Sequence, residues 1–144
     1  MPITAMKRLF FILFVCLITG LKSKAQSDTT QLAKVYIIRA TGYTGSLVNL
    51  RAMIDDQLFC KIKNNRFAVA WVKPGSHKFF VTSWDGPSKK EKLGLEIPIE
   101  AGKIYYLRMV MKQRFFETQM YFEEITENSA APLLAKHKED KECD

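Results

Sequence analysis

Apolar and polar residues alternate along most of this chain, and turn-forming residues interrupt the alternation every eight to ten positions or so. This period of two is typical of β-strands, because successive side chains of a strand point to opposite faces. It predicts eight strands, at residues 35–40, 47–54, 57–62, 66–72, 77–84, 93–99, 103–112 and 115–125. Eight strands joined mostly by short turns predict an all-β fold, an antiparallel β-sandwich of about seven to eight strands. A closed barrel stays open as the alternative.

Individual residues within the pattern place some of these strands. Residues 66–72 are apolar on both faces, which favours a central position in a sheet. Pro98 cannot donate a ladder hydrogen bond, so the strand at 93–99 is expected at an edge. Asn64 and Asn65 predict a hairpin, because asparagine tolerates the positive φ of tight hairpin turns.

Beyond the last strand, residues 127–144 are predicted to form a short helix and a charged tail. Asn128 or Ser129 is a suitable N-cap, and Pro132 would then fall in the first turn. Residues 123–144 carry a net charge of −4, while residues 26–122 carry +7. Charged termini are usually loosely held, so the tail is expected to remain solvated rather than to fold back.

The longest apolar run lies at the N-terminus, outside the alternating pattern. Lys7 and Arg8 precede the apolar residues 9–21, and small residues at Ser23 and Ala25 follow. This is the layout of a secretory signal peptide cleaved between Ala25 and Gln26. The sequence therefore predicts a periplasmic or extracellular protein with a signal peptide (1–25), a polar leader (26–34), a β-sandwich (35–126) and the helix and tail (127–144).

Two membrane-bound alternatives fit the N-terminus less well. A transmembrane helix needs roughly 20 apolar residues, and residues 9–21 supply fewer. Cys16 lies inside the apolar run behind Phe14 and Val15, where a lipoprotein signal would require small residues. We therefore expect neither a lipid anchor nor a stable membrane span after cleavage.

Cleavage also changes the charge of the protein. The chain has 22 basic and 15 acidic residues, but four basic residues and no acidic one precede Gln26. The net charge then falls from +7 to +3. An exported chain with so small an excess of positive charge predicts no nucleic-acid partner.

Cys60 and Cys143 are the cysteines that remain after cleavage. Cys60 lies in an apolar strand pattern, where a free buried thiol is the ordinary outcome. Because exported compartments permit disulfides, a bridge between Cys60 and Cys143 stays open as the alternative.

No arrangement of reactive residues predicts catalysis, and the sequence predicts a protein that is not an enzyme and holds no metal or cofactor. His77 has no acidic or cysteine neighbour in sequence, which favours a structural role. Asp55 and Asp56 fit a tight turn, where aspartate is common for backbone reasons. Arg39 and Arg108 interrupt apolar strands, and each is expected to reach water or to pair with an acid.

Aromatic residues are the best candidates for an interaction surface. Neighbouring aromatics on a strand point to opposite faces, so Tyr105 and Tyr106 should place one ring in the core and one outside it. The candidate interaction residues are Tyr106, Phe116, Trp84 and Leu95, the last on the predicted edge strand.

Three segments together resemble the bacterial exported proteins of domain-of-unknown-function family 2846 (DUF2846). They are the segment AKVYIIR at 33–39, the segment VKPGSHKF at 72–79 and the segment AGKIYYLR at 101–108. The last two are also similar to segments of PEGA-type and carboxypeptidase-regulatory-like β-sandwiches. The resemblance implies a small envelope-associated β-sandwich, often on a lipoprotein, and it supplies no catalytic residues.

These observations predict a non-enzymatic envelope module that binds or assembles, with an envelope protein or a cell-wall glycan as partner. Carbohydrate, cell-wall or lipid binding is the first alternative. A hydrolase with an unrecognised site is the second.

Overall fold

The computed structural model of this chain describes residues 31–43, 45–48, 50–83, 94–115, 117–141 and 143. Within them lie nine strands and one helix. In chain order these are β1 (Ala33–Arg39), β2 (Leu50–Ile54), β3 (Gln57–Ile62), β4 (Arg66–Val72), β5 (Gly75–Thr82), β6 (Leu95–Ile99), β7 (Ile104–Arg114), β8 (Glu117–Glu124), α1 (Glu127–Lys136) and β9 (Lys138–Glu139).

The strands form two sheets, one of five strands in the order β8-β7-β1-β4-β9 and one of four in the order β3-β2-β5-β6. The core lies between the sheets and is built from inward-facing side chains of both. Its largest members include Ile37, Leu107 and Met109 from the first sheet, and Ile62 and Phe79 from the second. The predicted β-sandwich with a short C-terminal helix is therefore confirmed.

Two strand pairs are parallel, β1 with β7 and β4 with β9, whereas the other pairs are antiparallel. The parallel pairing of β1 follows from how the chain crosses between sheets. The connections after β1, β3, β4 and β6 each lead to the other sheet, so among the described strands only β2–β3, β5–β6 and β7–β8 are both consecutive in sequence and paired.

Asn65 has the expected positive φ of 55°. The turn at Asn64 and Asn65 nevertheless joins β3 to a strand of the opposite sheet, so the predicted hairpin is wrong.

The positions of the two singled-out strands differ in how well they were predicted. β6 lies at the edge of the four-stranded sheet, as Pro98 indicated. β4 lies between β1 and β9, but only β1 pairs with its whole length. On the other side, the two-residue strand β9 pairs with Arg66 and Phe67 alone. The inward positions of β4 are filled by small residues such as Ala68 and Ala70, while Trp71 on the other face is 61% exposed.

Tyr105 and Tyr106 occupy opposite faces of β7, as predicted. Tyr105 is buried in the core, and its hydroxyl accepts a hydrogen bond from the Glu100 N–H at 2.9 Å. The same hydroxyl donates to the Pro98 carbonyl at 3.2 Å. Because Pro98 belongs to β6, this one side chain ties the five-stranded sheet to the edge of the four-stranded sheet.

The two strand arginines behave differently. Arg108 pairs with Glu123 at 2.7 Å, which confirms the expected acidic partner. Arg39 is 1% exposed and donates to the carbonyls of Ile62 (2.6 Å), Gly45 (2.8 Å) and Val48 (2.6 Å), so the expectation for Arg39 is wrong. Burial lowers the pKa of Arg39. Backbone carbonyls in place of a carboxylate accept hydrogen bonds from both terminal nitrogens of the guanidinium and hold the loop before β2.

The C-terminal tail is tied to both sheets and is not a loose solvated segment. β9 pairs with β4, and the Asp140 carboxylate accepts a hydrogen bond from the Lys63 N–H at 3.1 Å. A disulfide then joins Cys143 to Cys60 of β3. The expectation of a free Cys60 is therefore wrong, and the alternative that the sequence left open is the one found.

The N-cap of helix α1 is Thr126, two or three residues before the expected Asn128 or Ser129, so Pro132 lies inside the helix and not in its first turn. Within the described residues no helix has both the length and the apolar character needed to cross a membrane. Residues 1–25 and the predicted cleavage point between Ala25 and Gln26 lie outside those ranges.

Candidate interaction surface

One sheet face brings together large side chains from three strands. On the outward side of the five-stranded sheet, Lys34 of β1 lies between Trp71 of β4 and Ile104 of β7. In the next row Tyr36 lies between Val69 and Tyr106. We call this set of six residues the aromatic face.

The rings of the aromatic face contact one another in a fixed arrangement. Tyr36 and Tyr106 are stacked, with centroids 5.3 Å apart and an interplanar angle of 11°. The Lys34 ammonium lies 4.7 Å from the centroid of Tyr36 and 5.7 Å from that of Trp71. Cation–π contacts of this kind hold the lysine stem against the sheet. The face therefore combines apolar rings with one positive charge.

Exposure separates this face from the core on the other side of the same strands. Trp71 is 61% exposed and Ile104 is 53% exposed, whereas Tyr36 and Tyr106 are half-buried. Partial burial and the nearby Glu127 carboxylate raise the pKa of Tyr106. Large apolar side chains grouped on a sheet surface mark sites of interaction.

Of the four candidate interaction residues, only Tyr106 lies on the aromatic face. Leu95 of β6 belongs to the other sheet and packs against the core, so only its strand edge is available to a partner. Trp84 and Phe116 lie outside the described residues.

Sequence analysis did not single out the other five residues of this face, Lys34, Tyr36, Val69, Trp71 and Ile104. The alternation within each strand shows that these side chains point away from the core side. Their neighbourhood depends on the parallel pairing of β1 with β7, and that long-range pairing leaves no local signal.

A second feature lies at the end of β4, where β3 of the opposite sheet approaches it. A pocket of about 360 Å³ opens there, and we call it the edge pocket. Its apolar lining includes Leu58 and Phe59 of β3 and Ala70 and Trp71 of β4, and its rim includes Lys73. The edge pocket therefore touches the aromatic face at Trp71.

His77 and Asp55 form a hydrogen-bonded pair at the rim of the edge pocket. His77 Nδ1 lies 2.5 Å from Asp55 Oδ2, and His77 Nε2 lies 2.8 Å from the carbonyl oxygen of Lys73. Asp55 Oδ1 accepts the Lys78 N–H at 2.9 Å. Partial burial opposes the shift, but the Lys78 N–H and the His77 ring together lower the pKa of Asp55.

This pair fits a structural role for His77. Both ring nitrogens lie within hydrogen-bond distance of oxygen atoms of the protein, so neither is free to take a proton from a bound molecule. Among the described residues, no three side chains of His, Cys, Asp or Glu gather where they could hold a metal ion.

Comparison with known proteins adds one finding. The family model described as "Protein of unknown function (DUF2846)" matches residues 29–123. The match runs from just before β1 into β8, so it includes every residue of the aromatic face and of the edge pocket. No curated protein matches the chain.

Proposed function

The chain belongs to the DUF2846 family, and from that membership together with the aromatic face we propose that it is an exported, non-enzymatic module of the cell envelope that works by binding. Its partner is another envelope protein, and the aromatic face is the surface that meets it. The similarity to PEGA-type sandwiches stays a prediction.

The exposure of Trp71 and Ile104 carries this proposal. These two side chains leave a substantial apolar area in water on one sheet face, beside the stacked pair of Tyr36 and Tyr106. Covering that area with a partner is favourable by roughly 25 cal/mol for each Å² removed from water. A hydrogen-bonded sheet also holds the side chains in place before binding, which reduces the entropy lost on association.

The arrangement of the rings favours a protein partner over a glycan. A sugar ring stacks on a free aromatic face, but Tyr36 and Tyr106 stack on each other. The Lys34 ammonium also lies over the rings of Tyr36 and Trp71. Aromatic residues mixed with one cation are instead typical of the centre of a protein–protein interface.

Two observations support export. The signal-peptide pattern at residues 1–25 is one of them. The disulfide between Cys60 and Cys143 is the other, because disulfides form and persist in oxidising compartments such as the periplasm.

Crosslinking in living cells tests the proposal. The full-length chain would be tagged at its C-terminus, and the captured envelope proteins would be identified by mass spectrometry. The double variant Trp71→Ala/Ile104→Ser should reduce capture of one reproducible partner by at least about tenfold, since interface hot spots are worth about 2 kcal/mol or more.

The matched control uses exposed residues away from the aromatic face. Tyr43 and Leu47 are 101% and 97% exposed, so Tyr43→Ala/Leu47→Ser removes similar apolar side chains from the loop before β2. Capture should survive in this control. Equal capture by both double variants would exclude the aromatic face as the binding surface.

A further inference from the structure

One side of β4 is only partly paired. Along its inner side β4 pairs with β1 over its whole length, from Arg66 to Val72. On its outer side β9 pairs with Arg66 and Phe67, and in the described part of the chain no strand pairs with the positions that follow. The second half of β4 is therefore an open strand edge.

Hydrogen bonds of the neighbouring strands show which backbone groups of β4 face that open edge. The Lys34 N–H donates to the Lys103 carbonyl at 2.9 Å, so Lys34 and every second residue after it face β7. The intervening residues of β1 face β4, opposite Ala68 and Ala70. Since successive residues of a strand point their N–H and C=O groups to opposite sides, those of Val69 and Trp71 face the open edge.

β9 shows that this edge accepts a strand. The Asp140 N–H donates to the Phe67 carbonyl at 2.7 Å, on the same side of β4 as the free groups of Val69 and Trp71. The tail then diverges from β4, because the disulfide holds Cys143 against Cys60 of β3. The next positions along the edge lack a strand partner in the described structure.

The edge pocket lies directly beside these positions. It has a volume of about 360 Å³, and both strands that line it offer apolar side chains, including Leu58, Phe59 and Trp71. Leu58 is 43% exposed, so the pocket opens to solvent. Lys73 lies at the rim, and its ammonium has no acidic partner in the part of the chain described.

We propose that the open edge of β4 binds an extended peptide segment of a partner protein, which pairs with Val69 and Trp71 and continues the line that β9 begins. One large apolar side chain of the peptide fills the edge pocket, and a carboxylate of the peptide meets Lys73. Strand addition of this kind takes its affinity from main-chain hydrogen bonds and its specificity from side-chain pockets.

This site goes beyond the proposed function, because it is a strand edge and not the aromatic face. The two sites share Trp71 and Val69, whose side chain lies on the aromatic face, so the test uses groups that belong to one site alone. Val69 backbone groups, Leu58 and Lys73 report on the edge, and Ile104 reports on the face.

The first measurement uses a dye-labelled peptide, Thr-Val-Thr-Phe-Thr-Val-Glu, and the exported protein with its disulfide intact. Fluorescence anisotropy gives the affinity, and amide hydrogen exchange followed by NMR locates the peptide. The amides of Val69 and Trp71 should become at least about tenfold more protected on binding, because they gain hydrogen-bond acceptors. The amides of Ala68 and Ala70, which already face β1, should not change.

Matched peptides test the pocket and the charge. Replacing Phe by Ser in the peptide should weaken binding by at least about tenfold, since the pocket loses its apolar occupant. Replacing Glu by Gln should weaken it by about threefold, and Lys73→Gln should remove that difference while Lys73→Arg keeps it. Equal affinity for the Phe and Ser peptides would overturn the proposal.

Variants of the protein test the edge itself. Val69→Pro removes an N–H that faces the open edge, a position where proline is tolerated in an edge strand, and it should abolish peptide binding. It also changes a side chain of the aromatic face, and Ile104→Ser is the control for that face. Leu58→Asp places a charge in the exposed mouth of the pocket and should weaken peptide binding by at least about tenfold. This second variant tests the site independently if Val69→Pro does not fold. Ile104→Ser should leave binding unchanged.

Two outcomes would refute the site. Full peptide affinity in a folded Val69→Pro protein or in Leu58→Asp would show that the edge is not used. Protection of Val69 and Trp71 that rises with protein concentration without peptide would assign the edge to a second copy of this chain.

Discussion

At the scale of single residues, Asp55 does more than form a turn. Asp55 and Asp56 both have positive φ, 49° and 65°, as a tight turn between paired strands requires. Asp55 also holds the start of β5, because its carboxylate contacts His77 and accepts the Lys78 N–H. The type of residue was predictable from the turn, but the contacts of its side chain were not.

The lowered pKa of Asp55 makes its contribution to stability depend on pH. Its pKa in the fold lies below the ordinary value for aspartate, so the unfolded chain binds more protons at acidic pH. The stabilisation is therefore complete above the ordinary pKa of aspartate and is lost as the pH falls through the folded value. Asp55→Asn should cost about 1 kcal/mol or less at pH 7, because the carboxylate is half exposed, and the cost should shrink as the pH falls below the ordinary pKa of aspartate.

Urea denaturation at pH 7, 5 and 3 would measure this difference. Asp56→Asn is the matched control, because it changes the same charge one residue away and keeps a residue that tolerates positive φ. If the two variants lose the same stability at every pH, the contacts of Asp55 with His77 and Lys78 contribute nothing.

At the scale of elements, the C-terminal tail completes the sandwich. β9 adds to β4 of one sheet, and Cys143 joins β3 of the other. The tail thereby closes the side of the sandwich where the chain crosses from β3 to β4. Its acidic charge suggested a solvated segment, but one disulfide and a two-residue strand overcome that preference.

Removing the disulfide should destabilise the protein without disturbing the core. Cys143→Ser opens a loop whose ends are 83 residues apart in sequence, and bridges of this span contribute roughly 2–5 kcal/mol. Cys143 is the better position to change, because Cys60 is completely buried. Thermal unfolding of the variant and of the reduced native protein should show the same loss.

Hydrogen exchange in the same samples separates local from global effects. The amide of Asp140 should lose its protection, whereas amides of β1, in the middle of the five-stranded sheet, should be lost only with global unfolding. Unchanged thermal stability on reduction would contradict a structural role for the bridge.

At the scale of the whole molecule, the first described strand begins inside residues 26–34, which the sequence predicted to be a polar leader. β1 starts at Ala33 and lies in the middle of its sheet, with β4 on one side and β7 on the other. Every described strand follows the predicted signal peptide, so we expect the sandwich to persist after its removal.

We therefore expect the exported protein to start at Gln26. Expression of the full-length chain in a bacterium, followed by mass spectrometry of the intact periplasmic protein, would read the new N-terminus. Ala25→Tyr, which replaces the small residue before the cleavage point, should leave the precursor uncleaved. A native chain that keeps Met1 would contradict the predicted cleavage and export.

Local patterns determined much of this protein. Alternation specified that the chain forms strands, Pro98 placed an edge strand, and Asn65 marked a turn of positive φ, because each of these signals depends on only a few neighbouring residues. The three segments that resemble the DUF2846 family are equally local.

Only the tertiary structure decided which strands are neighbours. The parallel pairing of β1 with β7 brings Tyr36 beside Tyr106, and the pairing of Lys34 with Trp71 completes the aromatic face. The burial of Arg39 and the bridge between Cys60 and Cys143 also depend on contacts distant in sequence. Such contacts follow from how two sheets pack together, and a period of two along one strand carries no information about the strand beside it.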